Sequence, residues 1–481
     1  MPQTNTRVPV VTRVSQITAT PANPAREAGK RRGALAVTLA VILPLARVGR
    51  LCAQDEDQLG YRHELYQEDN DRMRVNTDSV LFDLGLRPSV RLTGSVVVDA
   101  ISGATPTGAP PQSRWPFASY STLFHTAYNQ AYASQFSQFV SQNQIYVDAG
   151  YETYQQMTNS AAQYAQSTAG GIATNSANAS YHTLTNNPNY HNNSVPLTHI
   201  HDQRTAFSLG LPMTFGNHEI TPSIAYSIES DYVSWSGALN YSLSLNHKNT
   251  IVSTGWAHNA DSVRDDLFVW EAKKTDAWFV GISQLLTPKA YINFNADFTT
   301  ERGYLSDPYR GVMPAMNYPQ LNPDDAALIP EKRPRHRNSE VFSAAYTQYI
   351  DPLEGSFDLN YRFFHDSYGI FTHTVGFDWN QRIGRHVVIS PTFRYYIQNA
   401  ASFYYVLVPD YNNLPNYYSS DYRLSELQTL TGGVTITWRI HKHLSLDFSY
   451  LRYVMQGLDG VTSQSAYPSA NVFSGGLRLW F

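Results

Sequence analysis

Thiols are all but missing: Cys52 is the one cysteine in 481 residues. It falls inside a segment read below as an export signal, so disulfide, iron–sulfur and cysteine–zinc chemistry are excluded from the rest of the chain. Charge is scarce as well, at 15% of residues with a formal net charge of -4, which leaves no basic field for gripping nucleic acid. Long apolar runs are also wanting. Gly33 to Leu45, about 13 residues, falls short of the ~20 that a membrane-spanning helix needs, and the mean hydropathy of -0.36 is below that of a helical membrane bundle. No Gly-x-Ser-x-Gly elbow and no His-Glu-x-x-His run occurs, so the chain is read as a non-enzyme that calls for no cofactor.

Aromatic residues are abundant, at 13% with 33 Tyr, 22 Phe and 8 Trp. From Gln58 onward the dominant pattern is period-two alternation in segments of about 10 to 15 residues, which is strand periodicity. In 291–299, Ile292, Phe294, Ala296 and Phe298 share one face, and Tyr291, Asn293, Asn295, Asp297 and Thr299 the other. One face suits lipid and the other water. Such segments number about 16, over 59–68, 72–86, 88–101, 203–214, 217–229, 231–247, 249–261, 275–286, 289–302, 337–350, 354–368, 370–383, 385–399, 423–440, 443–456 and 470–481. The expected fold is an all-β transmembrane antiparallel up-and-down barrel, with tight periplasmic turns alternating with longer extracellular loops.

Lys30-Arg31-Arg32 ahead of the 33–45 apolar run predict a signal peptide over 1–53, with an extended n-region and cleavage after Ala53. The barrel then occupies 54–481. The longest connection, 102–202, carries only Asp148 and Glu152 as acids between Trp115 and Thr198, and is otherwise mostly Tyr, Gln, Asn, Ser and Ala. It is expected to form a long extracellular loop or plug, with helix around 118–166 or no fixed structure.

Strand parity places Glu229, Asp297, Asp358, Arg362, Asp378, Arg394, Arg439 and Asp447 on the inner wall, where they would set the field felt by a solute or fill the barrel as ion pairs. Trp235, Trp379 and Trp438 fall near strand ends, as interface aromatics do. Phe481, in phase with Leu479 and Leu477 and preceded by Gly476 and Ser474, has the form of a C-terminal assembly signal. His199 and His201 alternate beside Asp202, with His182 and His191 upstream. That spacing is compatible with metal ligation, but loop histidines are more often plain solvated residues, and no metal is assigned.

Several segments resemble the bacterial family catalogued as domain of unknown function 3570: Tyr61-Arg62 and Glu64; Arg72-Met73-Arg74-Val75; Asp99-Ala100-Ile101-Ser102-Gly103-Ala104; Asp202-Gln203-Arg204; Ser227 to Ser234; and Tyr361 to Ile370. The chain has Thr105-Pro106 where relatives continue Ser-Pro, and its 102–202 insertion is longer than typical. The resemblance implies an outer-membrane barrel and transfers no substrate or catalytic residue. The expected partners are the lipid bilayer, the outer-membrane assembly machinery and a small solute. The expected function is a channel or transporter for an unidentified small solute. The alternatives are a non-conducting scaffold for a periplasmic or envelope partner and, less favoured, an outer-membrane hydrolase. Oligomeric state is not encoded in any motif.

Overall fold

The computed structural model describes residues 56–115, 119–186, 193–315 and 328–481. The 1–53 export segment and His191 lie outside the described residues. Sixteen antiparallel wall strands form one closed sheet. In chain order they are β1 (Gln58–Glu68), β2 (Met73–Arg87), β3 (Val90–Pro106), β4 (Leu197–Gly210, continued by Met213–Phe215), β5 (His218–Ile228), β6 (Tyr232–Leu245), β7 (Thr250–Arg264) and β8 (Trp270–Thr287). The second half comprises β9 (Ala290–Gly303), β10 (His336–Ile350), β11 (Gly355–Asp366), β12 (Phe371–Ile383), β13 (Val387–Gln398), β14 (Leu427–His441), β15 (Leu444–Gly457) and β16 (Ser469–Trp480). β4 is interrupted at Leu211-Pro212, where proline has no N–H to give the ladder.

The sheet closes where β1 pairs with β16, from Gln58 opposite Trp480 to Glu68 opposite Ala470. Past the last strand, the Phe481 N–H donates to the Asp57 carbonyl at 2.9 Å, and the Phe481 carbonyl accepts from the Asp57 N–H at 3.1 Å. A closed ladder leaves no strand edge, which a wall facing lipid requires.

Period two carries through to the side chains. On β9, Phe294 and Phe298 are exposed on the outer face while Asn293, Asn295 and Asp297 are half-buried on the inner one. The outer belt includes Trp278, Val280, Leu239, Phe473 and Phe448, the last 57% exposed. Leaving such side chains in water would cost roughly 1.5–3 kcal/mol apiece, so a belt of them identifies the solvent as lipid. No helix among the described residues is long and apolar enough to cross a membrane.

The two rims differ. At one, short turns use left-handed residues such as His247 (φ 55), Glu354 (φ 46) and Gly384 (φ 59). At the other, the strands outrun the periodicity: β3 continues to Pro106 and β4 begins at Leu197, so five or six residues at each end of the expected 102–202 loop are wall. Alternation is blurred there because Ala104, Thr105 and Ile200 are buried beneath other loops rather than divided between lipid and water. Gly103 (φ 129) turns β3 into this region; a Cβ there would lie 1.8 Å from the Arg72 carbonyl oxygen.

Between β3 and β4 stand two helices, α1 (Tyr120–Asp148) and α2 (Tyr154–Asn186), so helix extends 20 residues past the expected limit of 166. Ser119 caps α1 by accepting from the Thr122 N–H at 3.2 Å. α2 opens with a capping box in which Gln156 Oε1 accepts from the Thr153 N–H at 2.9 Å and Thr153 Oγ1 from the Gln156 N–H at 3.2 Å. Ala161, Ala165, Ala169, Ala173 and Ala177 recur every fourth residue on α2 and are fully buried, which lets α1 approach closely. The base of this hairpin packs Leu123, Ala177 and Leu184 against Trp115, Ala109 and Met313.

Candidate functional site

The inner wall and the loops across one end of it form the candidate site. Along the wall, polar side chains link neighbouring strands. Thr347 and Asn380 donate to Asp358, the latter at 2.9 Å, and Ser390 donates to Asn380 Oδ1 at 2.8 Å, giving one hydrogen-bonded row across β10, β11, β12 and β13. Asp378, directly opposite Asp358 in the register, accepts from Thr392. Two carboxylates facing each other across a ladder repel, and a hydroxyl donor on each offsets this.

Of the ion pairs that could fill the barrel, none joins Asp358 or Asp378 to Arg362 or Arg394 across the ladder. Register sets Arg362 against Thr374, and Arg394 against Gly376 and Thr431. Arg362 instead lies over the Phe364 ring, with its guanidinium carbon 5.6 Å from the centroid. Asp297 sits half-buried on β9. Of the acids expected on the inner wall, Asp447 pairs with an arginine, Arg62, at 3.1 Å across the intervening Gly476 of β16. Arg439 is exposed at the turn end, where its backbone pairs with His386 at 2.7 Å and 2.9 Å.

Lumen-facing residues toward the turn end are wet, with Arg62 side chain 48% and Leu81 52% exposed. At the loop end they are dry: Asp366 is 1% exposed, and Met73, Ile101, Thr372 and Leu427 are buried. Gly311–Pro314 and Ile329–Pro330 of the β9–β10 loop pair antiparallel, and Met313-Pro314 pairs parallel with Leu407–Val408 of the β13–β14 loop. This small sheet, with Val312, Met313 and Val408 wholly buried, forms a lid. Its loops reach the rim at points around the ring: Arg310 Nη2 donates to Thr105 Oγ1 at 2.9 Å, Tyr309 donates to Asp231, and Phe403 packs edge-on against Tyr368.

At the centre of the lid lie three carboxylates and three guanidiniums, neutral together when all are ionised: Asp307, Glu331 and Asp421 with Arg310, Arg333 and Arg423. Arg333 bonds Glu331 at 2.6 Å and Asp421 at 2.8 Å, and Arg423 bonds Asp421 at 2.9 Å as well as Asp307. Burial works against an ionised Asp421, yet Arg423, Arg310 and Arg333 hold its carboxyl far below the usual range. Burial pushes Glu331 up despite Arg333, with Asp421 and Asp307 adding to the rise. These six residues escaped the inner-wall parity argument because they belong to loops; their signal was a knot of charge, Glu331-Lys332-Arg333 through Arg337, in a chain poor in charge.

Glu229 sits just beyond β5, buried beside Asp202 and Asp231. Burial pushes its carboxyl up to about 8, with Arg204 pulling the other way and Asp202, Asp231 and Asp99 reinforcing the rise. His199 and His201 do not join Asp202. They are exposed and alternate with buried Ile200 and Asp202, on opposite faces of β4. Trp235 and Trp438 are exposed on the outer face, Trp235 with its ring 4.4 Å from that of Tyr226, while half-buried Trp379 donates to Gln381 at 3.2 Å. Ser474 and Gly476 lie in β16 opposite Glu64 and Arg62, and Leu479 opposite Leu59.

A closed antiparallel barrel with a lipid-type belt, tight turns at one end and elaborate loops at the other defines an outer-membrane-type barrel protein. The family described as Protein of unknown function (DUF3570) matches residues 45–268 and 266–471, and the chain belongs to it. No curated protein matches the chain. Among solved structures, a bacterial polysaccharide outer membrane secretin is similar at 7% identity and TM-score 0.41, covering 89% of this chain and 100% of that one. CdiB from Acinetobacter baumannii is similar at 8% identity and TM-score 0.43, covering 89% and 61%. The siderophore receptor PirA from Pseudomonas aeruginosa is similar at 7% identity and TM-score 0.36, covering 89% and 63%. The chain thus spans less than two thirds of the latter two, and likeness this distant says nothing about substrate.

Proposed function

We propose that this protein is a bacterial outer-membrane channel for a small solute, entered from the periplasm and closed at its outer mouth by its own lid. Under this reading the turn end faces the periplasm and the lid faces outward, the arrangement that places long loops outside the cell. The observation that carries it is the gradient along the lumen: Arg62 and Leu81 meet water while Asp366 and Leu427 do not. A space wet over part of its length and stoppered by loops is built to be opened. Sixteen strands also enclose more room than wall side chains normally fill. The field inside is mixed, with Arg362, Arg394 and Arg439 facing Asp297, Asp358, Asp378 and Asp447, which suits a polar solute rather than an ion of one sign.

The second reading is a non-conducting scaffold, favoured by the buried neutral charge network, since a lid of that kind also serves as a permanent stopper. Reconstitution in planar bilayers separates the two. For a channel, wild-type protein should show rare openings, and an Arg333→Gln, Arg423→Gln variant should open far more often. Silence from both proteins, with the variant's lid demonstrably accessible to protease, would establish the scaffold. Fractionation with the outer membrane and heat-modifiable migration should accompany either outcome.

A further inference from the structure

Beneath the lid, at the junction of β4 with the turn between β5 and β6, Asp202, Glu229 and Asp231 each offer a carboxylate oxygen, and these oxygens lie within 4.8 Å of one another. All three residues are buried. Arg204 faces them, but its Nε and Nη2 are engaged by Asp99 at 2.5 Å and its buried Nη1 makes no hydrogen bond, while Asp99 takes a further bond from Thr77 at 2.6 Å. Asp202 is oriented by Ser230 at 3.0 Å and by the Gln203 N–H at 2.7 Å, and Asp231 by the Tyr309 hydroxyl of the lid. Glu229 is different. It is 8% exposed, it gives one carboxylate oxygen to this group, and its buried Oε2 has no hydrogen-bond partner. Two residues before it on the same strand face, Ser227 is 6% exposed with an equally unpartnered hydroxyl. A buried carboxylate oxygen without a donor calls for an ion or a water beside it.

We propose that Asp202, Glu229 and Asp231 bind a divalent cation of calcium size, which ties the lid to the barrel wall through the Asp231–Tyr309 contact. The donor set is oxygen alone, the choice of hard cations over zinc or copper. Oxygens within 4.8 Å of one another can converge on one such ion. Magnesium keeps several of its waters and is usually held by only one or two carboxylates, whereas calcium accepts a larger set of protein oxygens, so three buried carboxylates favour the larger ion. A cation also removes the repulsion of three buried carboxylates, which Arg204, committed to Asp99, offsets only in part. The site stands whether or not a solute passes through the barrel.

The test uses the full-length protein in detergent, stripped with chelator and titrated with terbium, a luminescent stand-in for calcium that Tyr309 and Tyr232 are placed to sensitise. Terbium emission should rise to a single saturable site and be displaced by calcium at lower concentration than by magnesium. Glu229→Gln and Asp202→Asn should each weaken binding by about tenfold or more, the loss that even outer-shell changes cause at metal sites. Glu219→Gln, at the turn end, should leave it unchanged. Calcium should also raise the temperature at which wild-type protein loses its compact electrophoretic form, an effect absent in Glu229→Gln. Wild-type protein with no saturable terbium site, or whose thermal behaviour is the same in calcium and in chelator, would overturn the proposal without recourse to any variant. So would a Glu229→Gln protein that binds terbium as the parent does, or that gains stability because Glu229 simply holds a proton.

Discussion

The stretch of wall around Asp358 and Asp378 and the lid of this barrel use charge in opposite ways. In the wall, Asp358 and Asp378 are met by hydroxyl and amide donors, and the arginines on the same face stand apart from them. In the lid, Asp307, Glu331 and Asp421 are interleaved with three arginines and withdrawn from solvent. A charge bordering a wet lumen keeps most of its hydration and needs no ionic partner. A charge inside the lid loses its hydration, and several kcal/mol of desolvation must be met by neighbours of opposite sign. The same residue types therefore tune a field in one region and hold a closure together in the other.

The largest effect that would break this contrast is expected at Asp421, 1% exposed and in contact with both Arg333 and Arg423. Asp421→Ala strands those guanidiniums in a dry interior, which costs about 3–5 kcal/mol. The barrel should still insert, but the lid should become protease-sensitive and the lumen residues beneath it should exchange amide hydrogens faster. Unchanged protection would mean that the lid is held by its apolar core of Val312, Met313 and Val408 alone.

Acid should act more gently. Asp421 titrates lower in the folded lid than in the unfolded chain, so its contribution is present above the ordinary value of 3.8 and is lost only as pH falls through its depressed value. Glu331 titrates higher when folded, so its contribution is present below the ordinary 4.5 and is lost as pH rises through its raised value. Acidifying from neutrality to 4.5 thus leaves Asp421 ionised and favours the protonated Glu331 that the folded lid prefers, so lid protection should hold or increase. Proteolysis across that range is the measurement, and a lid that loosens before pH 4.5 is reached would contradict the assignment of both groups.

Legibility followed the same division. The strands could be read because a wall between lipid and water imposes period two on each of them, as Phe294, Ala296 and Phe298 against Asn293, Asn295 and Asp297 show. The lid could not be read in this way. Its strands are two to four residues long, and Met313 pairs with Leu407, which lies in a different loop on the other side of β10–β13. The carboxylate group under the lid was partly within reach: parity along β4 already separates Asp202 and Arg204 from His199 and His201. Its junction with Glu229 and Asp231 required knowing that β4 runs on to Leu197 as wall rather than ending at 203 as loop.

On the wall, replacing Arg362 and Arg394 together by alanine should leave assembly nearly intact, because wet or half-wet charges contribute about 0–1 kcal/mol. Permeation should change instead. Asp297, Asp358 and Asp378 remain on that side of the lumen, so reversal potentials should shift toward cation selectivity. Poor assembly of the double variant would show that this stretch of wall is as desolvated as the lid, and the contrast between the two would fail.

The smallest effect is expected at the seam, where Arg62 of β1 and Asp447 of β15 meet at 3.1 Å across β16. Register places Gly476 between them, and a Cβ there would come 2.6 Å from Asp447 Oδ1. The glycine therefore makes room for an ion pair that reaches over a strand rather than to the adjacent one. With Arg62 side chain 48% exposed, the pair is screened by solvent and contributes no more than about 1 kcal/mol. Gly476→Val should displace the Asp447 carboxylate, which sits at the end of a flexible side chain, and cost about as much as Arg62→Ala. The two changes combined should cost little more than either, since both remove one interaction. Heat-modifiability of the single and double variants gives this comparison directly. If Gly476→Val instead abolished insertion while Arg62→Ala did not, the glycine would belong to recognition of the terminal strand during assembly, together with Ser474, Leu479 and Phe481, and the seam would close without help from its charges.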